Sequence, residues 1–292
     1  GGLNGKILAE EQLRFGNDQE QYFQILDQTQ SLLRNAPEDY LLGMAPHSLR
    51  AVSPEALDEI VTSRSSGPVH IHIAEQLKEV EQIHANYGAR PVEWLLQKVA
   101  VDSRWCLIHA THMTQKETQN FAKSGAIVGL CPITEANLGD GVFDGTEFLL
   151  SRGKFGIGSD SNVRISLTEE LRLLEYSQRL IRKERNVMIH KAGSVGRALY
   201  SDALAGGAQA LGRKSGSIAP GHWADLLTLD SEALTLCGCT EEKILDRWIF
   251  SGDDSIVSDV WSAGRQMVKD GQHIQHNEIE QKYRSIILEI LQ

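Results

Sequence analysis

Short apolar runs of strand length recur along this chain, each followed by a stretch with helical periodicity, and that alternation limits the possible folds more than any other feature. The runs are 41–45, 69–73, 105–110, 126–131 and 155–160, with helical stretches at 18–33, 79–87, 91–99 and 115–124. Two further helices announce themselves by their starts. Ser53-Pro54-Glu55 offers a serine N-cap, a proline at the first helical position and an acid in the first turn. Ser166-Leu167-Thr168-Glu169 reads as a capping box opening a long helix to about residue 185. Strands alternating with helices give βα units and a parallel sheet, here of five strands.

The polar residues of these units fall in one place. His47, His72, His109 and Asp160 each lie at or just past the C-terminal end of a run. In a (β/α) barrel those ends form one rim, and the active site is built there. Within 69–73 side chains alternate, so His70 and His72 share a face, and Glu75 follows as the apolar run stops. Each residue alone has an ordinary reading. A buried histidine is satisfied by a core hydrogen bond, His109 by capping a helix, and Asp160 by a turn with Ser161 and Asn162. Four strands delivering such groups to one rim favour a metal-assisted hydrolytic site, since neutral imidazole plus carboxylate suits zinc.

Composition removes other classes. With 292 residues, 41% hydrophobic and 23% charged, the chain reads as globular. A net charge of −10 argues against nucleic acid or an anionic membrane as partner. No apolar run reaches membrane-spanning length and no signal peptide is evident. Cys106, Cys131, Cys237 and Cys239 are too few and too scattered for a disulfide framework and read as reduced thiols, which predicts a cytoplasmic protein. The chain starts at Gly1 without a methionine, and 1–17 reads like a loop entered partway.

The order His72, Glu75, His109, Asp160 on successive strands resembles the aminohydrolase branch of the amidohydrolase superfamily, and most closely the formiminoglutamate deiminases of histidine degradation. The stretches that carry the likeness are HIHIAEQ at 70–76, RWCLIHATHM at 104–113, GLCPITEANLGDG at 129–141, GIGSDSNV at 156–163 and EELRLLEYSQRL at 169–180. CPITEANLGDG and LEYSQRL are the discriminating pieces. ALAGGAQALGRKSGSIAPGHWADLLTLD at 203–230 is common to many amidohydrolases.

One departure matters. The superfamily's first strand carries a His-x-His pair of metal ligands, and no histidine precedes His47 here. The resemblance therefore implies that the five runs are strands four to eight of a (β/α)8 TIM barrel of the amidohydrolase type, lacking its N-terminal strands. Five strands do not close an eight-stranded barrel. His70 then lies a layer below the rim, in a structural role. The expected organisation is a metal-dependent barrel portion over 1–212, a contribution to a small β-sandwich over 213–275 and a C-terminal helix over 276–292. The strands foreseen in the second part are 224–229, 256–262 and 265–268, the last two joined through Ala263-Gly264.

The resemblance also implies roles. His72 and Asp160 would be ligands of one divalent metal ion, expected to be zinc, which lowers the pKa of bound water towards about 7. Glu75, His109 and Asp160 would be catalytic, His109 and Asp160 taking the water's proton and Glu75 protonating the departing nitrogen. The implied substrate, N-formimino-L-glutamate, carries two carboxylates, and His47 and Arg50 would bind one of them. The expected partners are this small molecule and a second copy of the chain in a homodimer. Two other readings stay open: an aminohydrolase of guanine or an adenosine-like ring, and a metal-free, non-catalytic remnant.

Overall fold

The computed structural model of the chain describes residues 3–161, 163–189 and 193–291. Its centre is a parallel sheet in the order β1 (Val69–Ile73), β2 (Trp105–His109), β3 (Ile127–Leu130), β4 (Lys154–Ile157). All four residues of β3 are buried, as in a strand covered on both faces. The register opposes Ile73 to His109 and Leu130 to Ile157, so the strands end level and the segments leaving them line one edge.

Helices α1 (Gln19–Leu33) and α2 (Pro54–Ser63) precede the sheet. The connections are α3 (Leu77–Tyr87) and α4 (Pro91–Lys98), then α5 (Gln115–Ser124), then α6 (Pro132–Leu138) and α7 (Gly145–Leu150). After β4 come α8 (Leu167–Arg182) and α9 (Val195–Ala210). The foreseen caps are present in part. Ser53 accepts the Ala56 N–H at 3.2 Å, with Pro54 opening α2. Ser166 accepts the Glu169 N–H at 3.3 Å, but Glu169 pairs with Arg164 instead of returning a bond, so the box is half formed.

The first foreseen strand, 41–45, is not an extended ladder. Met44 pairs in parallel with Val69, its N–H reaching the Pro68 carbonyl at 2.8 Å and its carbonyl taking the His70 N–H at 2.9 Å. A second isolated bridge joins Ser48 to His72. Pro46 has no N–H to give, and the Ala45 N–H goes to the Tyr22 hydroxyl at 3.0 Å, so the pairing cannot propagate. Four strands and two bridges thus stand where five strands were expected.

Helix α9, not foreseen in the sequence, carries Gly206 and Gly207 in its interior. Its glycines are there for contact: a Cβ on Gly206 would lie 1.8 Å from the Phe155 carbonyl oxygen of β4. Only glycine lets the helix lie this close to the strand. At the end of α9 the Ala210 carbonyl accepts a hydrogen bond from His70 Nε2 at 2.7 Å, the structural role foreseen for that residue.

The C-terminal part holds an antiparallel sheet of β5 (Leu226–Leu229), β6 (Val257–Ser262), β7 (Arg265–Lys269) and β8 (Gln272–His273), with α10 (Ile244–Phe250) between β5 and β6. Ala263 and Gly264 both take positive φ, 48° and 78°, the tight turn that suits a two-residue hairpin. Two-residue β8 is too short to show in sequence. α11 (His276–Ile290) closes the chain with no buried residue. Arg213, from the end of α9, and Arg265, from β7, converge on buried Asp39, Arg213 also pairing with Asp225 at 2.6 Å. No helix among the described residues is long and apolar enough to cross a membrane.

Candidate active site

Three strand ends turn sharply where the site residues stand. Ala74 (φ 50°), His109 (φ 68°), Ala110 (φ 48°) and Asp160 (φ 46°) all adopt left-handed backbone without being glycine. Such conformations are uncommon for side-chain-bearing residues and persist only where the surroundings hold them. Here they turn the chain off β1, β2 and β4 so that Glu75, His109 and Asp160 come together.

His109 is the centre. Its ring is buried, and Nε2 faces Glu75 Oε1 and Asp160 Oδ2, each at 3.9 Å. Both distances exceed a hydrogen bond, and Nε2 has no partner among the described residues. The other ring nitrogen, Nδ1, donates to Glu135 Oε1 at 3.2 Å, and that oxygen also takes the Cys131 N–H at 2.9 Å. A proton held on Nδ1 leaves the Nε2 lone pair directed at the two carboxylates. Burial pulls the His109 pKa down, but the bond to Glu135 and the charges of Glu135, Glu75 and Asp160 outweigh it, leaving it raised.

His72 lies between two rings, stacked on His109 at 5.7 Å and tilted to His47 at 5.1 Å between centroids. Its Nδ1 donates to the His47 carbonyl at 2.9 Å, so its Nε2 is the free lone pair. A ligand histidine is characteristically held this way, with its second nitrogen bonded to a carbonyl. Asp160 completes an N/O donor pair suited to zinc in kind. Among the described residues no group of three or more His, Cys, Asp or Glu is arranged to hold a metal ion.

Glu75 is half-buried, and burial raises its carboxyl above the ordinary range, with His109 partly opposing. Arg50 stands beside it, Nη2 lying 3.9 Å from Glu75 Oε2 and 3.9 Å from Glu79 Oε2. Arg50 also borders a cavity of about 490 Å3 lined in part by Lys6, Gln82 and Asn86. His47 bonds Ser48 Oγ through Nδ1 at 3.0 Å, and desolvation, then His72 and Arg50, lowers its pKa.

The structure therefore brings His47, Arg50, His72, Glu75, His109 and Asp160 into one neighbourhood. It adds two carboxylates that the sequence did not single out, Glu135 and Glu79. Both lie within a turn or so of a strand end, at the start of α6 and α3, where an acid resembles ordinary helix-start chemistry. Behind them Glu170, on α8, accepts the Ile133 N–H at 2.8 Å and is pushed up to about 7, chiefly by burial. Cys106 and Cys131 are buried and free, and burial raises both thiols, so they stay protonated.

A formimidoylglutamate deiminase of Pseudomonas aeruginosa is 46% identical over 292 residues, covering 99% of this chain and 64% of the relative. The crystal structure of an amidohydrolase from Brucella melitensis matches with a TM-score of 0.94 and 48% identity, over 100% of this chain and 64% of that one. An adenosine deaminase from Xanthomonas campestris, solved with bound zinc, shares the fold, with a TM-score of 0.80 at 24% identity over 92% of this chain and 62% of that one. The chain thus spans just under two thirds of the length of these relatives. The amidohydrolase family profile matches residues 17–267. On that match the parallel sheet is part of a TIM barrel of the amidohydrolase type, and the chain belongs to the amidohydrolase family.

Proposed function

We propose that the complete polypeptide hydrolyses N-formimino-L-glutamate to N-formyl-L-glutamate and ammonia, a step of histidine degradation in the cytoplasm. The observation that carries the chemistry is the buried, unpartnered His109 Nε2 facing Glu75 and Asp160. The substrate is inferred from the likeness to the Pseudomonas deiminase, with Arg50 at the site as a group able to bind a carboxylate.

His72 Nε2 and Asp160 would hold one divalent ion, zinc by donor type. When bound, such an ion polarises the attacked carbon's environment and makes water a nucleophile at neutral pH. Two donors do not complete a four-coordinate site, so this reading requires ligands beyond these two. His109 Nε2 and Asp160 accept the proton of the attacking water. Glu75, raised by its burial, is suited to carry a proton to the departing nitrogen, so that ammonia leaves when the tetrahedral carbon collapses. Arg50 binds a substrate carboxylate with His47 beside it. Residues 1–212 form the barrel portion, 213–275 the β-sandwich contribution and 276–292 a terminal helix, and the protein works as a homodimer.

The test is ammonia release by the complete polypeptide from N-formimino-L-glutamate, compared with guanine and adenosine. Preference for a purine, or no release from any of the three with metal present, would overturn the reading.

A further inference from the structure

Glu79 is fully buried, yet neither catalysis nor metal binding uses it. Its two oxygens have different partners: Oε1 accepts the Ala74 N–H at 3.0 Å, and Oε2 accepts the Glu75 N–H at 3.0 Å. Two successive N–H groups point the same way because Ala74 is left-handed, at φ 50°. Such a backbone concavity suits an anion. Oε2 also lies 3.9 Å from Arg50 Nη2, and the same Nη2 is 3.9 Å from Glu75 Oε2. Gln76, the N-cap of α3, gives no side-chain cap; it reaches away to Asp140 Oδ1 at 2.9 Å. One carboxylate therefore meets both the backbone that aims Glu75 and the guanidinium beside it.

We propose that Glu79 is a positioning residue that sets the direction of Glu75 and the resting place of Arg50 together. This rests on the reading of Glu75 as proton donor and Arg50 as carboxylate binder. An amide at position 79 has one acceptor oxygen for two N–H donors and no charge for Arg50. The Ala74–Glu75 turn then loses half its clamp, and Arg50 is left to Glu75 alone. Glycine tolerates left-handed backbone without such a clamp, so Ala74→Gly should replace the part of the role that concerns Glu75 but not the part that concerns Arg50.

The experiment compares Glu79→Gln, Ala74→Gly with Glu79→Gln, and Arg50→Met with Glu79→Gln in the complete polypeptide. It measures kcat and KM for N-formimino-L-glutamate, metal content, and hydrogen exchange of the 74 and 75 amides. Glu79→Gln should lower kcat by about tenfold to a hundredfold and raise KM, with metal content kept. Ala74→Gly should recover most of kcat without recovering KM. On the Arg50→Met background Glu79→Gln should add little to KM. A purely structural role would instead add the same loss on every background and show no recovery with glycine, and either result overturns the proposal. If Glu79→Gln does not fold, the Ala74→Gly form, relieved of the left-handed strain, carries the comparison. The exchange arm needs no substrate: the two amides should exchange faster in Glu79→Gln, and unchanged protection refutes the clamp. An unreactive wild-type protein with accelerated exchange in the variant would reject the substrate and keep the clamp.

Discussion

The rim of the parallel sheet and the antiparallel sheet near the C-terminus treat charge in opposite ways. At the rim the carboxylates of Glu79, Glu117, Glu135 and Glu170 are buried, and each accepts a backbone N–H from a segment near a strand end or helix start. Around β5 to β7 the strand residues are half-buried or exposed, and the acids Asp225 and Asp259 meet chiefly side-chain donors, Asp225 also taking the Ala263 N–H at 2.8 Å. The carboxyl groups respond accordingly. Glu75 and Glu170 are raised, with burial as the leading cause. Asp39, Asp225 and Asp259 are lowered, with hydrogen bonds from Arg265, Arg213 and Ser258 leading. Burying a carboxylate is costly unless its bonds are well made, so each rim acid is held by a backbone N–H, and at Glu79 that bond falls on the left-handed Ala74 turn. The second sheet keeps its acids paired with side-chain donors, half-exposed at Asp225 and buried at Asp39, where they contribute to stability without aiming a reactive group.

The largest effects should come from breaking the rim. Glu75→Gln, His109→Asn and Asp160→Asn should each lower kcat by orders of magnitude, because in the proposed reaction each would handle a proton or the nucleophile. Metal analysis divides them: His72→Asn and Asp160→Asn should lose metal, whereas His109→Asn should keep it. Equal loss in the His72 and His109 variants would mean that His109 is a metal ligand and not the base.

Next comes Arg50. A charge-assisted hydrogen bond contributes roughly 1.5–3 kcal/mol, so Arg50→Met should cost about tenfold to a hundredfold in kcat/KM for N-formimino-L-glutamate. Arg50→Lys should recover part, since an ammonium lacks the planar fork. The loss should shrink for an analogue without the matching carboxylate. An unchanged kcat/KM in Arg50→Met rejects the clamp.

Much of this contrast is legible in the sequence, for physical reasons. Side chains on a strand alternate strictly, so the shared face of His70 and His72 can be placed from pattern alone, whereas the level strand ends follow from the register between strands. The hairpin at Ala263-Gly264 is readable because so few turns join strands that closely. The hidden features depend on contact between distant segments. Glu135 reaches His109 across 26 positions, and α9 needs its Gly206 only because Phe155 lies against it. The 41–45 run looks like a strand by composition, yet its pairing stops at Pro46, where a donor is missing. Glu79 and Glu135 carry no local sign that separates a loop clamp from a helix-start acid.

Stability against pH should separate the two regions further. At the rim, Glu170 is raised from an ordinary value of 4.5 to about 7. A raised acid binds protons more tightly folded than unfolded. Stability therefore declines as pH climbs from about 4.5 through 7, and the full cost, on the order of 1–3 kcal/mol, is present above that. Glu170→Gln keeps an oxygen for the Ile133 N–H and cannot ionise. Its melting temperature relative to wild type should be more favourable at pH 8 than at pH 5. A pH-independent difference would show that Glu170 is not charged at a cost.

The smallest effect should lie at Asp39, and it should carry the opposite sign. Arg265 leads in lowering its carboxyl to about 2, with Arg213 assisting and burial opposing. The unfolded chain releases that proton less readily than the folded one. The Asp39 contribution is therefore fully present above about pH 4, and fades as pH falls through 4 towards 2. Asp39→Asn keeps a carbonyl oxygen for one guanidinium but drops the charge shared by two, so it should destabilise at pH 7 and progressively less towards pH 2. Melting curves of the two proteins should thus converge on acidification, whereas those of Glu170→Gln and wild type converge only from pH 8 down to about 4.5. If Asp39→Asn stayed equally destabilised at pH 2.5, packing around the buried side chain, and not its charge, would hold this seam. The contrast between a raised rim and a lowered seam would then rest on the rim alone.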